Sequence, residues 1–270
     1  MGSENMQDVV RRIVAAFNAG RHDEARRLCE AALKRQPGDP TLNHLLAAVL
    51  FAKGDTAAAR THVETSLATR PGNAPARLLA GRIARASQDF DMALRHFAKA
   101  GDTAPGSEAR LEQARTLDVA GRREAARQAW QEVLRNDPAC REAAARLGRL
   151  LSEDGQSIAA APLLEQAVRG EAPASAWFDL GVVRQDLHDP GGAAAAYRHA
   201  LEQRPDHAEA AVNLGIVLQE LGDMDAALAA YRTAYRLRQS TFGIIATSLT
   251  SAPHGRLWLD REALKRLLRN

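Results

Sequence analysis

Residues 208–237 read AEAAVNLGIVLQELGDMDAALAAYRTAYRL. The stretch is apolar and rich in helix formers, yet it places Gly215 and Gly222 seven residues apart and follows them with Ala227 and Ala234. Glycine inside a helix costs roughly 1 kcal/mol against alanine, so a free-standing helix gains nothing from it. Some neighbour must require those positions to be small.

Sliding the stretch back along the chain supplies the reason. Gly215 aligns with Gly181, Gly148, Ala114, Gly81, Ala47 and Ile13 at steps of 33 or 34 residues. Ala227 has counterparts at Ala193, Ala160, Ala126, Ala93, Ala59 and Ala25, and four residues further on stand Tyr231, Tyr197, Leu164, Trp130, Phe97, Val63 and Cys29. Prolines close most units, at Pro37, Pro71, Pro105, Pro138, Pro173 and Pro205. Internal repetition at this period is the signature of a solenoid. Each repeat reads as two helices of about 12–14 residues, the length of ordinary globular helices, joined by a tight turn at Gly20, Gly54, Gly121, Gly155 or Gly222. Glycine there tolerates the left-handed conformation that ends a helix. The small residues let the two helices of a repeat approach, and the bulky residue fills the space beside the next repeat.

These observations predict an all-α fold, a solenoid of about seven helix-turn-helix repeats with a C-terminal helical cap. Repeats start near residues 6, 40, 74, 107, 141, 174 and 208 and fill 6–239. Residues 1–5 read as an N-terminal extension or cloning remnant. Residues 240–270 read as the cap, with STFGIIATSLTSA as a further amphipathic helix, PHG as a turn and REALKRLLRN as a last helix. Between them Leu257, Trp258 and Leu259 form an apolar segment suited to sealing the last repeat, filling the groove or docking on another protein.

Composition narrows the class. The 36 basic residues are interspersed with 33 acidic ones, for a net charge of +3, so no basic footprint for nucleic acid stands out. Cys29 and Cys140, far apart, point to reduced thiols and a cytoplasmic setting. No stretch approaches the run of about 18 apolar residues that spans a membrane. The sequence holds no G-x-G-x-x-G, phosphate-binding loop, G-x-S-x-G, H-E-x-x-H or C-x-x-C, and its histidines are scattered over the repeats. We therefore expect no catalytic residues, no metal and no cofactor. Asp189 and Pro190 read as a helix cap and first turn, and Cys29 as a small buried hydrophobe.

The pattern closely resembles the tetratricopeptide repeat (TPR) family, most clearly in Trp177, Leu180, Gly181, Ala193, Tyr197, Ala200 and Pro205, then in Leu214, Gly215, Ala227, Tyr231 and Ala234. Arg12 and Gln113 depart from it at a usually apolar position, and Arg77 and Arg110 at a usually large apolar one. The resemblance implies a right-handed superhelical solenoid with a concave groove lined by the first helix of each repeat. It would present Val10, Val14, Phe17, His44, Leu45 and Phe51, with Leu78 and Leu79 next. The middle repeats would present Arg82, Arg85, Arg115, Arg146 and Arg149 among Glu108, Glu112, Asp118, Glu142 and Glu153. The last two would present Phe178, Asp179, Val182, Gln185, Val212, Asn213, Ile216 and Gln219.

Within single helices Glu142 faces Arg146, and Arg115 faces Glu112 and Asp118, so these charges neutralise one another. Arg82 and Arg85 have no acidic neighbour on their own helix face, which marks them for an anionic ligand group. The set of Lys and Asn with which some members of the family clamp chaperone C-termini is missing, and of an asparagine ladder only Asn213 stands in place. The resemblance thus implies a non-catalytic scaffold for a protein or peptide segment with acidic and apolar residues, and neither nucleic acid nor membrane. Alternatives are an accessory module recruiting substrate to a transferase-type enzyme, or self-association through a homo-oligomerisation surface.

Overall fold

Helix punctuation sets the architecture. In the computed structural model, which describes residues 5–103, 106–251 and 261–269, the described residues contain sixteen α-helices, one short 3-10 turn at Gln239–Thr241 and no β-strand. The chain divides into two compact halves, Met1–Pro138 and Ala139–Asn270. The first comprises α1 (Met6–Asn18), α2 (His22–Leu33), α3 (Pro40–Ala52), α4 (Thr56–Thr69), α5 (Ala74–Ala86), α6 (Phe90–Thr103), α7 (Ser107–Val119) and α8 (Arg123–Asn136). The second comprises α9 (Arg141–Glu153), α10 (Ser157–Ala167), α11 (Ala174–Asp186), α12 (Pro190–Gln203), α13 (Ala208–Glu220), α14 (Met224–Leu237), α15 (Phe242–Ser251) and α16 (Arg261–Arg269).

Short polar side chains start several of these helices by accepting otherwise unpaired backbone N–H groups. The carboxylate of Asp39 accepts from the Leu42 amide at 2.8 Å and that of Asp189 from Gly192 at 2.9 Å, with Pro40 and Pro190 at the first helical position. Within the hairpins the chain reverses through a left-handed residue, glycine at Gly222 (φ 84°) but Gln88 (φ 60°) and His188 (φ 58°) in the third and sixth repeats. Each second helix packs on its own first helix and on the first helix of the following repeat within the same half.

The small residues have a more specific task than letting backbones approach. A methyl group added to Gly215 would lie 2.5 Å from the Tyr231 ring, one on Gly181 would lie 2.5 Å from Tyr197, and one on Gly81 would lie 2.4 Å from Phe97. On Gly148 it would lie 2.7 Å from Leu164. The bulky side chain is thus seated over the glycine of its own repeat, and not chiefly between repeats as expected. The two positions trade volume: Ile13 goes with Cys29 and Ala47 with Val63, and all four are buried. Cys29 stands where other repeats place an aromatic ring, with the larger Ile13 opposite, and burial pushes its thiol up to about 12.

In the second half, the Tyr231 hydroxyl donates to Gln219 Oε1 and the Tyr197 hydroxyl to Gln185 Oε1, both at 3.0 Å. A third group arrives from the following helix. Asn213 Nδ2 on α13 donates to the Tyr197 hydroxyl at 3.3 Å, and Gln219 Nε2 donates to the Ser248 carbonyl on α15 at 2.9 Å. α15 thus supplies for the last repeat the cross-helix group that α13 supplies for the sixth. Gln219, expected on the groove, is fully buried. Ile245 and Leu249 of α15 and Leu264 and Leu268 of α16 are buried in the same core, with α16 against α14, while Glu262, Arg266 and Arg269 face outward. The two C-terminal helices match expectation; Leu257, Trp258 and Leu259 lie outside the described residues.

Volume exchange between the two positions yields a testable expectation. Gly81→Ala should destabilise the protein by about 1–3 kcal/mol through overpacking, and Phe97→Val should cost a similar amount by leaving a cavity. The double variant recreates the Ala47–Val63 pairing. Its urea unfolding should show a coupling of roughly 1 kcal/mol in favour of the pair; strict additivity would mean that the ring does not need the missing methyl.

Candidate functional site

Side chains three, four and seven residues apart share a helix face, and in the first half this spacing gathers the expected groove residues around one cavity. His44, Ala48 and Phe51 reach it from α3, Leu78 and Arg82 from α5, Phe17 from α1 and Glu108 from α7. It has a volume of about 370 Å3, within the roughly 300–1,000 Å3 typical of ligand clefts. Its walls are mainly apolar. Phe17, Phe51 and Leu78 are half-buried, as is His44, whose Nδ1 is buried without a hydrogen-bond partner. Burial also lowers the imidazole's pKa, so the cavity presents a neutral ring. Val10 and Leu45, by contrast, serve the adjoining core, and Val14 is 37% exposed.

One wall is an ion pair. Arg82 Nη2 donates to Glu108 Oε1 at 2.6 Å and its Nε donates to Glu112 Oε1 at 2.9 Å. Arg85 Nη1 donates to Glu112 Oε2 at 2.6 Å, and Arg115 Nη1 lies 3.3 Å from Glu112 Oε1. Glu112 is 2% exposed. Burial alone would raise its pKa, but the hydrogen bonds and charges of Arg82 and Arg85 prevail and hold the carboxyl below the usual range. This corrects the expectation that Arg82 and Arg85 await an anionic ligand. Their partners lie on α7, one helix over, where a reading confined to a single helix face does not reach. The acidic residues stand 26 to 30 positions later, nearly one repeat length, and comparing positions across adjacent repeats would have revealed them.

In the second half, Phe178 lies 4.7 Å from the His207 ring in a stacked arrangement and 5.8 Å from Tyr197. It is half-buried, as are Val182, Asn213 and Ile216, and Phe178, Val182 and Ile216 pack against the core. Arg146 and Arg149 are exposed and line a separate, charged cavity of about 530 Å3 between α9 and α11. Arg149 Nε pairs with Glu153 at 2.9 Å. Asp179, on the opposite wall, is the more unusual member: burial raises its pKa to about 6 in spite of Arg149 and Arg146 nearby.

Comparison with known proteins agrees with this architecture. Two family profiles, both described as tetratricopeptide repeat, match residues 16–83 and 50–117 for one and 111–176 and 178–241 for the other. The chain belongs to the tetratricopeptide repeat family, whose members generally bind proteins or peptides and are usually non-catalytic. Among solved structures, YrrB, described as a TPR protein with an unusual peptide-binding site, is similar at a TM-score of 0.57 and 20% identity, covering 66% of this chain and 92% of YrrB. PilF of Pseudomonas aeruginosa is similar at 0.67 and 15%, covering 74% and 91% respectively. The APC/C hetero-tetramer Cut9-Hcn1 matches at 0.64 and 13%, covering 91% of this chain and 49% of that one. At these identities the likeness shows the fold alone. No curated protein matches the sequence. Among the described residues, no helix is long and apolar enough to cross a membrane.

The Glu112 cluster should mark the acid limit of the first half. A carboxyl whose pKa is lower folded than unfolded contributes stability above its unfolded pKa and loses it as pH falls through the folded value. Glu112→Ala removes the carboxylate that Arg82, Arg85 and Arg115 share and should cost about 2–3 kcal/mol at neutral pH, less than for a wholly buried group because solvent screens Arg82 and Arg115 and Arg82 keeps Glu108. Urea midpoints of parent and variant should converge as pH is lowered below the ordinary glutamate range.

Proposed function

We propose that the protein is a non-catalytic scaffold that binds a peptide segment of a partner protein, seating an apolar side chain in the cavity between α1, α3 and α5. The observation that supports this reading is the convergence of Phe17, His44, Phe51 and Leu78, from three first helices, on one apolar cavity. Concave apolar sites with a few polar groups are the usual form of a recognition pocket. Here those polar groups are the neutral His44 ring and the Arg82–Glu108 pair. The ion pair offers the bound segment both donors and acceptors, whereas a free cation would select for acid. Two free thiols, with Cys29 fully buried, fit a cytoplasmic site of action.

Peptides displayed on an array and ranked by binding should share a large apolar residue. Leu78→Glu places a charge in the cavity wall at a half-buried position. It should weaken the best peptide at least about tenfold, the scale on which a buried apolar side chain contributes, while leaving the thermal midpoint within a few degrees of the parent. Equal affinity in the folded variant would move the binding surface elsewhere.

A further inference from the structure

The charged cavity between α9 and α11 belongs to the other half of the chain and has no part in the reading above. Ala145 of α9, Ala167 at the end of α10, and Pro173 and Ala176 around the start of α11 give it aliphatic walls. Asp179 contributes a carboxylate to the same lining. Among the described residues that carboxylate makes no hydrogen bond or ion pair, whereas the arginines around it are engaged. Arg141 Nη1 donates to the carbonyls of Arg169 at 2.7 Å and Glu171 at 3.1 Å, Arg149 holds Glu153, and Arg146 also has a partner. An aliphatic wall with an unpaired acid beside it matches a flexible hydrocarbon stem that ends in a hydrogen-bond-donating cation.

We infer that this cavity is a binding site for a basic side chain, lysine or arginine, of a partner peptide, whose ammonium or guanidinium group pairs with Asp179. The charged groups facing Asp179 fit this assignment. They come from α9 (Arg141, Glu142, Arg146, Arg149 and Glu153) and from Glu171 ahead of α11, while α10 offers Ala167. The two signs are nearly balanced, and burial prevails over the arginines in raising the Asp179 pKa to about 6. At neutral pH the carboxyl is therefore ionised and lacks a partner, which an incoming cation supplies.

Linkage fixes the sign of the pH response. A bound cation favours the ionised carboxyl, so protons compete with it. Affinity should be flat above neutrality and fall about tenfold per unit below about pH 6. The probes are short blocked peptides with one central Lys, and matched peptides with Arg, norleucine or Glu in its place, titrated into the full chain and followed by the NMR shifts of the Asp179 carboxyl carbon and the Ala176 amide.

Saturable shifts with the Lys or Arg peptide, weakening below pH 6 and lost in Asp179→Asn, are expected. That variant removes an unpaired charge and should melt no lower than the parent, so loss of binding cannot be laid to unfolding. Leu78→Glu should leave the response unchanged, since it alters only the other cavity. Three outcomes would each overturn the assignment: saturation by the norleucine or Glu peptide as strong as by Lys, binding that survives Asp179→Asn, and no saturable shift with either basic peptide.

Discussion

A bulky side chain seated over a small facing residue, a ring over glycine in three of the hairpins, is the contact from which most of the chain follows. Where Tyr231, Tyr197 or Phe97 is seated, a methyl group on the facing glycine would come within 2.4 to 2.5 Å of the ring, so the glycine's helix cost is offset by burial of an aromatic side chain. Because a close-packed core is sensitive to single methylenes, a larger residue at one position calls for a smaller one at the other. Ile13 with Cys29 shows the exchange carried to its far end. The tyrosines add a directional element: each hydroxyl reaches a glutamine of its own repeat, and a group from the next helix completes the network. Packing within a hairpin is thereby coupled to the register between hairpins.

The chain's charges obey a similar local logic. Glu112 is almost wholly withdrawn from water and is tolerable only because arginines from two helices meet it. Breaking such a cluster costs more than forming it gains, so it fixes how α5 sits against α7 more than it strengthens the fold. With these arginines committed, the neighbouring apolar cavity is bordered by the Arg82–Glu108 pair and a His44 ring whose pKa is lowered by burial. In the second half Arg141, Arg146 and Arg149 are engaged, while among the described residues the Asp179 carboxylate makes neither a hydrogen bond nor an ion pair.

The sequence shows those features whose determinants are close together along the chain. The repeat period, the glycine and alanine positions, the Asp189 cap and the two C-terminal helices are all local signals, and each helix appears where it was expected. So does the gathering of Phe17, His44, Phe51 and Leu78, since these follow from helical spacing and repeat register. Side-chain partners on a different helix are not visible that way. Arg82 looked unpaired because Glu108 and Glu112 lie on α7, and Gln219 looked exposed because α15 covers it. Asp179 stood among the groove residues without distinction, since its lack of a partner is a property of three-dimensional surroundings.

The position of α16 has a consequence for assembly. A repeat array resembles a one-dimensional crystal: whatever surface welcomes the next unit inside the array would also welcome another molecule at its end. An uncovered last repeat would offer a heterologous contact with no rotation to close it, the geometry of an open fibre. α16 turns Leu264 and Leu268 inward and Glu262, Arg266 and Arg269 outward, giving this end a hydrated face. A polar outer face of this kind disfavours end-on addition, whereas the apolar side of α14, where Tyr231 and Tyr235 are buried, would invite it if left bare.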